Sequence, residues 1–81
     1  MMKNFTEEQI AMEFGSYLKE ARLKRAWYQD IVAAQAGISQ VYYCNIEQGK
    51  RMPTLCVAMR LCEVLGLKYS DFIKEIETKG E

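Results

Sequence analysis

Apolar residues recur at three- and four-residue steps through the first third of the chain. Ile10, Phe14, Tyr17, Leu18 and Ala21 fall on one helical face and predict a buried stripe within a helix over about residues 7 to 25. Thr6-Glu7-Glu8-Gln9 supplies its start as a capping box, in which the Thr6 hydroxyl takes an early backbone N–H and Gln9 reaches back to the cap. Gly15 weakens this helix by up to about 1 kcal/mol relative to alanine without ending it. Trp27, too large to leave in water cheaply, is expected to close the end of the helix over the core.

Gln29 to Ala36 predicts a second, short helix with Ile31, Val32, Ala33 and Ala36 available for burial. Gly37 stops it by entering the left-handed region, Ile38 sits in the turn, and Ser39 is a good N-cap for a third helix running to about Gln48, which Gly49 ends. Lys50-Arg51-Met52-Pro53 reads as a loop, because Pro53 pushes the residue before it out of helical geometry. Thr54 caps a fourth helix with Leu55, Ala58, Met59, Leu61, Cys62 and Leu65 on a broad apolar face, and Gly66 terminates it. Leu67 anchors the next turn. A fifth helix begins at Tyr69 or Ser70 and runs through Glu75 or beyond, with Phe72, Ile73 and Ile76 as its apolar contacts. The expectation is one all-α domain of five helices over residues 1–81, frayed at about 1–5 and 77–81, with no linker or repeat.

Composition narrows the picture. A chain of 81 residues cannot divide its burial between two cores, and 49% hydrophobic residues make it globular. No stretch approaches the ~20 apolar residues that span a bilayer, and Met1-Met2-Lys3-Asn4-Phe5 leads into Thr6-Glu7-Glu8-Gln9, not a secretory segment. A cytoplasmic protein with no membrane contact is expected. Cys44, Cys56 and Cys62 lack paired zinc-site spacings, and there is no histidine, which excludes Cys/His zinc sites and histidine-based acid/base chemistry. Cys56 and Cys62 lie about 600° of helical rotation apart, so all three thiols are expected to be free. With no glycine-rich phosphate loop and no base for a cysteine nucleophile, neither an enzyme nor a cofactor or metal is expected.

Net charge is zero, but it is unevenly spread. Lys19, Arg22, Lys24, Arg25, Lys50 and Arg51 stand against Glu20, Asp30 and Glu47, so residues 19–51 carry +3 between acidic flanks of −2 and −1. A positive face is therefore compatible with a neutral chain.

Two short helices around Gly37-Ile38-Ser39 fit a helix-turn-helix, although the same periodicity suits any compact helical bundle. Ser39-Gln40-Val41-Tyr42-Tyr43 places short or amide polar groups at the N-terminus of the third helix, the end that meets base edges when such a helix docks. The pattern Gln29-x3-Ala33-x3-Gly37-Ile38-Ser39-x6-Ile46-Glu47-x-Gly49-Lys50-x2-Pro53-Thr54-Leu55 resembles the phage repressor and Cro type of helix-turn-helix, with likeness from about Phe14 to Phe72.

That resemblance implies sequence-specific binding of double-stranded DNA by a small transcriptional regulator, a repressor or autoregulator, with residues 39–48 as the recognition helix. It implies that Gln40, Val41 and Asn45 face base edges, with Asn45 able to reach phosphate instead. Gln29 would touch a phosphate and brace the first residues of the recognition helix. Ser39, Tyr42, Lys50 and Arg51 would lie along the backbone, Tyr42 being as well suited to a half-buried surface position. Arg22 and Glu47 match the family's pair between the first helix and the end of the third. The partner implied is a palindromic operator bound by a homodimer, with Val57, Leu67, Tyr69, Ile73 and Ile76 as interface candidates that could equally be core, and a location with the nucleoid.

The chain departs from the family where Ala26 replaces the usual glycine, Tyr28 a serine or threonine cap, Tyr43 an aliphatic core residue and Cys44 a serine. Tyr28, Tyr42 and Tyr43 are candidates for an aromatic cluster that makes up for the missing caps. The competing function is a protein-interaction module or antitoxin component of the same fold, with a toxin or larger regulator as partner and weak or no DNA binding.

Overall fold

The computed structural model describes residues 5–79. Helix α1 (Glu7–Lys24) opens with the expected capping box: the Thr6 hydroxyl accepts from the Gln9 backbone N–H at 3.1 Å, and the Gln9 side-chain Oε1 accepts from the Thr6 backbone N–H at 2.8 Å. Then follow α2 (Gln29–Ala36), α3 (Gln40–Glu47), α4 (Leu55–Val64) and α5 (Tyr69–Lys79). Ser39 and Thr54 cap α3 and α4, each hydroxyl accepting a backbone N–H three residues on, at 3.1 and 3.3 Å. Fraying at 77–81 does not extend to residues 77–79, which continue α5, and Phe5 is half-buried against the core; residues 1–4 and 80–81 lie outside the described residues.

The first two helices end in the same way. Trp27 donates its N–H to the Arg22 carbonyl at 3.2 Å and Ala26 to Leu23 at 3.0 Å; Ile38 donates to Ala33 at 3.0 Å and Gly37 to Ala34 at 3.2 Å. This paired pattern needs a left-handed residue, which is Gly37 (φ 72°) after α2 but Ala26 (φ 56°) after α1. The backbone thus takes the geometry a glycine would favour, and the alanine side chain bears the strain.

One core joins all five helices: Phe14 and Leu18 of α1, Val32, Ala33 and Ala36 of α2, Tyr43 and Ile46 of α3, Ala58, Leu61 and Cys62 of α4 with Leu65 at its end, and Phe72 and Ile76 of α5. Helix α1 packs on α3 and α5, α2 on α3 and α4, and α4 on α5. The aromatic contacts run between α1 and α5, where the Phe14 ring meets Phe72 edge-on at 5.0 Å and Tyr17 lies 5.4 Å from Phe72.

Four sequence expectations change. Ile31, Leu55 and Met59 lie on solvent-facing sides of their helices, with Leu55 and Met59 more than half exposed, because helical rotation turns them away from the faces that bury Val32, Ala33 and Ala36 on α2 and Ala58, Leu61 and Cys62 on α4. Ile76 is buried in the core and is therefore unavailable to a dimer interface. The tyrosines do not cluster: Tyr28 is 79% exposed, whereas Tyr43 is wholly buried. Gly15 is more than a weak point in α1, because a Cβ there would sit 2.5 Å from the Ile46 carbonyl oxygen and closer still to that of Glu47. Its missing side chain is what lets α1 lie directly on the end of α3.

Candidate nucleic-acid interface

Helix α3 is anchored on one side and open on the other. Tyr43, Ile46 and Glu47 point inward, and Gln40 and Val41 point out, Val41 being 72% exposed, with Asn45 and Cys44 half-buried beside them. This division follows from helical rotation, which returns residues three or four apart to one face. With Gln29 of α2, these outward residues line a shallow depression of about 260 Å³ with a mostly apolar wall. Cys44, one helical turn from Val41, contributes a thiol that accepts from the Gln48 amide at 3.3 Å. The spacing of three residues between Val41 and Cys44 is the sequence signal for this placement.

Behind the exposed face, α3 is fixed by a buried ion pair. Arg22 donates Nε to Glu47 Oε2 at 2.6 Å and Nη2 to Oε1 at 3.0 Å, and its Nη1 reaches the Trp27 carbonyl at 2.8 Å. Both side chains are nearly buried. Burial by itself would raise the Glu47 carboxyl, but hydrogen bonding from Arg22, with the Tyr43 hydroxyl and the Gln29 amide close by, outweighs it and holds the group below its ordinary value. The Tyr43 hydroxyl lies against this pair without a partner in full hydrogen-bond geometry among the described residues. Its own pKa is pushed up, chiefly by burial.

Gln29 requires a correction. Its Nε2 donates to Glu47 Oε1 at 3.0 Å, so the bracing bond that the structure shows goes to the C-terminal end of α3, and the residue also lines the depression with Gln40 and Val41. Ser39 is exposed at the N-cap. Tyr42 is half-buried, and the Arg51 guanidinium stands 5.6 Å from its ring centre, in cation–π range. Lys50 and Arg51 are exposed just after α3, on the loop that Pro53 closes into the core. Two arginines outside the expected set act at helix ends: Arg60 donates to the Ala36 carbonyl at 2.9 Å, and Arg25 to the Leu65 carbonyl at 3.1 Å. Neither is foretold by local pattern, since each acts across more than twenty residues of sequence.

Among the interface candidates, Val57, Leu67, Tyr69 and Ile73 are half-buried at the edge of the core, Tyr69 with its ring 5.8 Å from that of Phe14. No described helix is long and apolar enough to cross a membrane.

A short helix pinned by buried residues, presenting an amide-rich outer face behind a tight turn, defines the helix-turn-helix class of DNA-binding domains. The chain belongs to the helix-turn-helix family of the phage repressor and Cro type: the family description "Helix-turn-helix domain" matches residues 13–71. It is 37% identical over 65 residues to YqaF, an uncharacterized HTH-type transcriptional regulator of Bacillus subtilis (strain 168), covering 78% of this chain and 86% of that one. It is 33% identical over 69 residues to the control protein C.MunI of Mycoplasma sp, covering 84% and 93%. Its fold is similar to that of the restriction-modification controller protein C.AhdI from Aeromonas hydrophila, with a TM-score of 0.72 at 24% identity over 76% of this chain and 94% of that structure. Its general function is that of a DNA-binding transcriptional regulator.

Proposed function

We propose that α3 enters the major groove of a specific operator and that the chain acts as a small repressor or autoregulator. The observation that carries this reading is the asymmetry of α3, whose inner side is locked by Tyr43, Ile46 and Glu47 while Gln40, Val41 and Asn45 face outward. In this reading the Gln40 amide bonds an adenine edge and Asn45 reaches a neighbouring base or phosphate. Ser39, Tyr42, Lys50 and Arg51 meet the phosphate strand, supplying affinity and register instead of specificity. Gln29 adds a phosphate contact while holding Glu47. The similarity to proteins named as a control protein and a restriction-modification controller protein supports a regulatory role.

A single recognition helix spans few base pairs, so specificity calls for two copies on a symmetric operator, with half-sites about one helical turn apart. The exposed Leu55 and Met59 on one side of α4, with Leu67 and Tyr69 beside Met59, form the surface we assign to that contact.

The test is binding to DNA from the protein's own gene neighbourhood across a salt series. Affinity is expected to fall steeply with salt, with Lys50→Ala reducing the logarithmic slope by about one. Gln40→Ala is expected to cost ~1–3 kcal/mol at one base position. If both variants bind like the parent and no fragment outcompetes unrelated DNA, the protein-interaction or antitoxin function replaces this one.

A further inference from the structure

The two amides on the outer face of α3 are separated by something that does not donate or accept strongly. Between Gln40 and Asn45, the side chains of Val41 and Cys44 stack one helical turn apart and form the apolar wall of the depression described above. Val41 is 72% exposed, although an aliphatic side chain gains by leaving water. The Cys44 sulfur is already engaged by the Gln48 amide at 3.3 Å, which fixes the thiol as a soft, weakly polar surface on the same wall. The neighbouring polar residues frame this wall without covering it.

Among the groups by which the four bases are distinguished in the major groove, the 5-methyl of thymine is the one that neither donates nor accepts a hydrogen bond. We propose that Val41 and Cys44 form a cup for the 5-methyl group of a pyrimidine, and that this contact, resting on the docking of α3 proposed above, sets specificity at one position of each half-site. Cys44 is the specificity residue added here. Its thiol completes a cup that Val41 alone would leave as a one-sided contact, and Gln40 and Asn45 on either side read the adjoining base pairs. Thymine and 5-methylcytosine carry the same methyl at the same place in the groove, so the cup accepts either.

The experiment uses the full chain and a DNA fragment that it binds specifically. Each thymine is replaced in turn by deoxyuridine, which removes only the methyl, and in a parallel set each cytosine is replaced by 5-methylcytosine. Loss of one buried methyl is expected to weaken binding about four-fold at a single thymine per half-site and to leave the others unchanged. If the position is a cytosine, methylation there strengthens binding by a similar factor and identifies the modified base as the source. Val41→Ala and Cys44→Ser are each expected to bring the methyl preference close to unity while leaving the salt dependence as in the parent. Both residues lie outside the fully buried core, and circular dichroism verifies that the variants fold. Specific binding with no methyl-sensitive position, or a preference that survives in either variant, overturns the cup while the docking of α3 stands. Failure to find any specific fragment removes both.

Discussion

Ala26 holds a left-handed backbone at φ 56°, a conformation that costs an L-residue roughly 1–2 kcal/mol, whereas glycine adopts it freely at an entropic cost of about 0.5–1 kcal/mol. Ala26→Gly should therefore stabilise the fold modestly, raising the thermal midpoint by a few degrees in a calorimetric scan. Two residues on, Tyr28 is the N-cap of α2 and makes no capping bond. Tyr28→Ser is expected to add about 1 kcal/mol, readable as a shift of the urea midpoint at unchanged slope. Glu47 shows the opposite sensitivity. Glu47→Gln leaves Arg22 charged and nearly buried, and should cost ~3–5 kcal/mol. Because the folded carboxyl titrates below its ordinary value of 4.5, its contribution is complete above that pH and is lost as pH falls through the lower folded value. Acid denaturation of the parent should accordingly be steeper below about pH 4.5 than that of the Gln variant.

At the scale of the helices, the contact between α1 and α3 governs how the recognition face is held. Gly15 has no intrinsic reason to occupy the middle of α1, since alanine there would favour the helix by up to about 1 kcal/mol. A Cβ would meet the carbonyl oxygens of Ile46 and Glu47, which cannot yield without moving the end of α3. Gly15→Ala is thus expected to destabilise the protein by a net ~1–3 kcal/mol, measured by urea unfolding, against the direction that helix propensity gives. Helix boundaries were legible in the sequence because caps and stops act locally: Thr6, Ser39, Thr54 and Gly37 each do their work within a few residues. The bond from Arg60 to the end of α2 was not legible, because its partner lies 24 residues away.

For the whole molecule, the cysteines give a probe of how closed the core is. Cys62 is buried and its thiol is pushed up to about 11 by burial, whereas Cys56 is exposed on α4. A thiol reagent at neutral pH should modify Cys56 promptly in the native state and Cys62 only on unfolding, as mass spectrometry of the labelled chain would record. Chain mass in solution, measured over a dilution series with Leu55→Glu and Met59→Glu, tests the proposed contact between copies directly: both variants are expected to shift the equilibrium toward the single chain without loss of helix content.

The five helices, their starts and stops, and the turn at Gly37-Ile38-Ser39 were determined by the sequence itself, because capping, left-handed exits and helical periodicity involve neighbours along the chain. The order of motif residues from Gln29 to Leu55 also carried the family, since the turn, cap and buried glutamate stand at fixed spacing. Which side of a broad apolar face became core was decided only by packing: Leu55, Met59 and Leu61 all fall on the wide apolar face of α4, yet the helix meets its neighbours on the side of Ala58, Leu61 and Cys62 and leaves Leu55 and Met59 outside. The close approach at Gly15, the bracing of Glu47 by Gln29 and the joining of Val41 and Cys44 into one apolar wall likewise depended on how separate helices came to face one another or turned their outer sides to solvent.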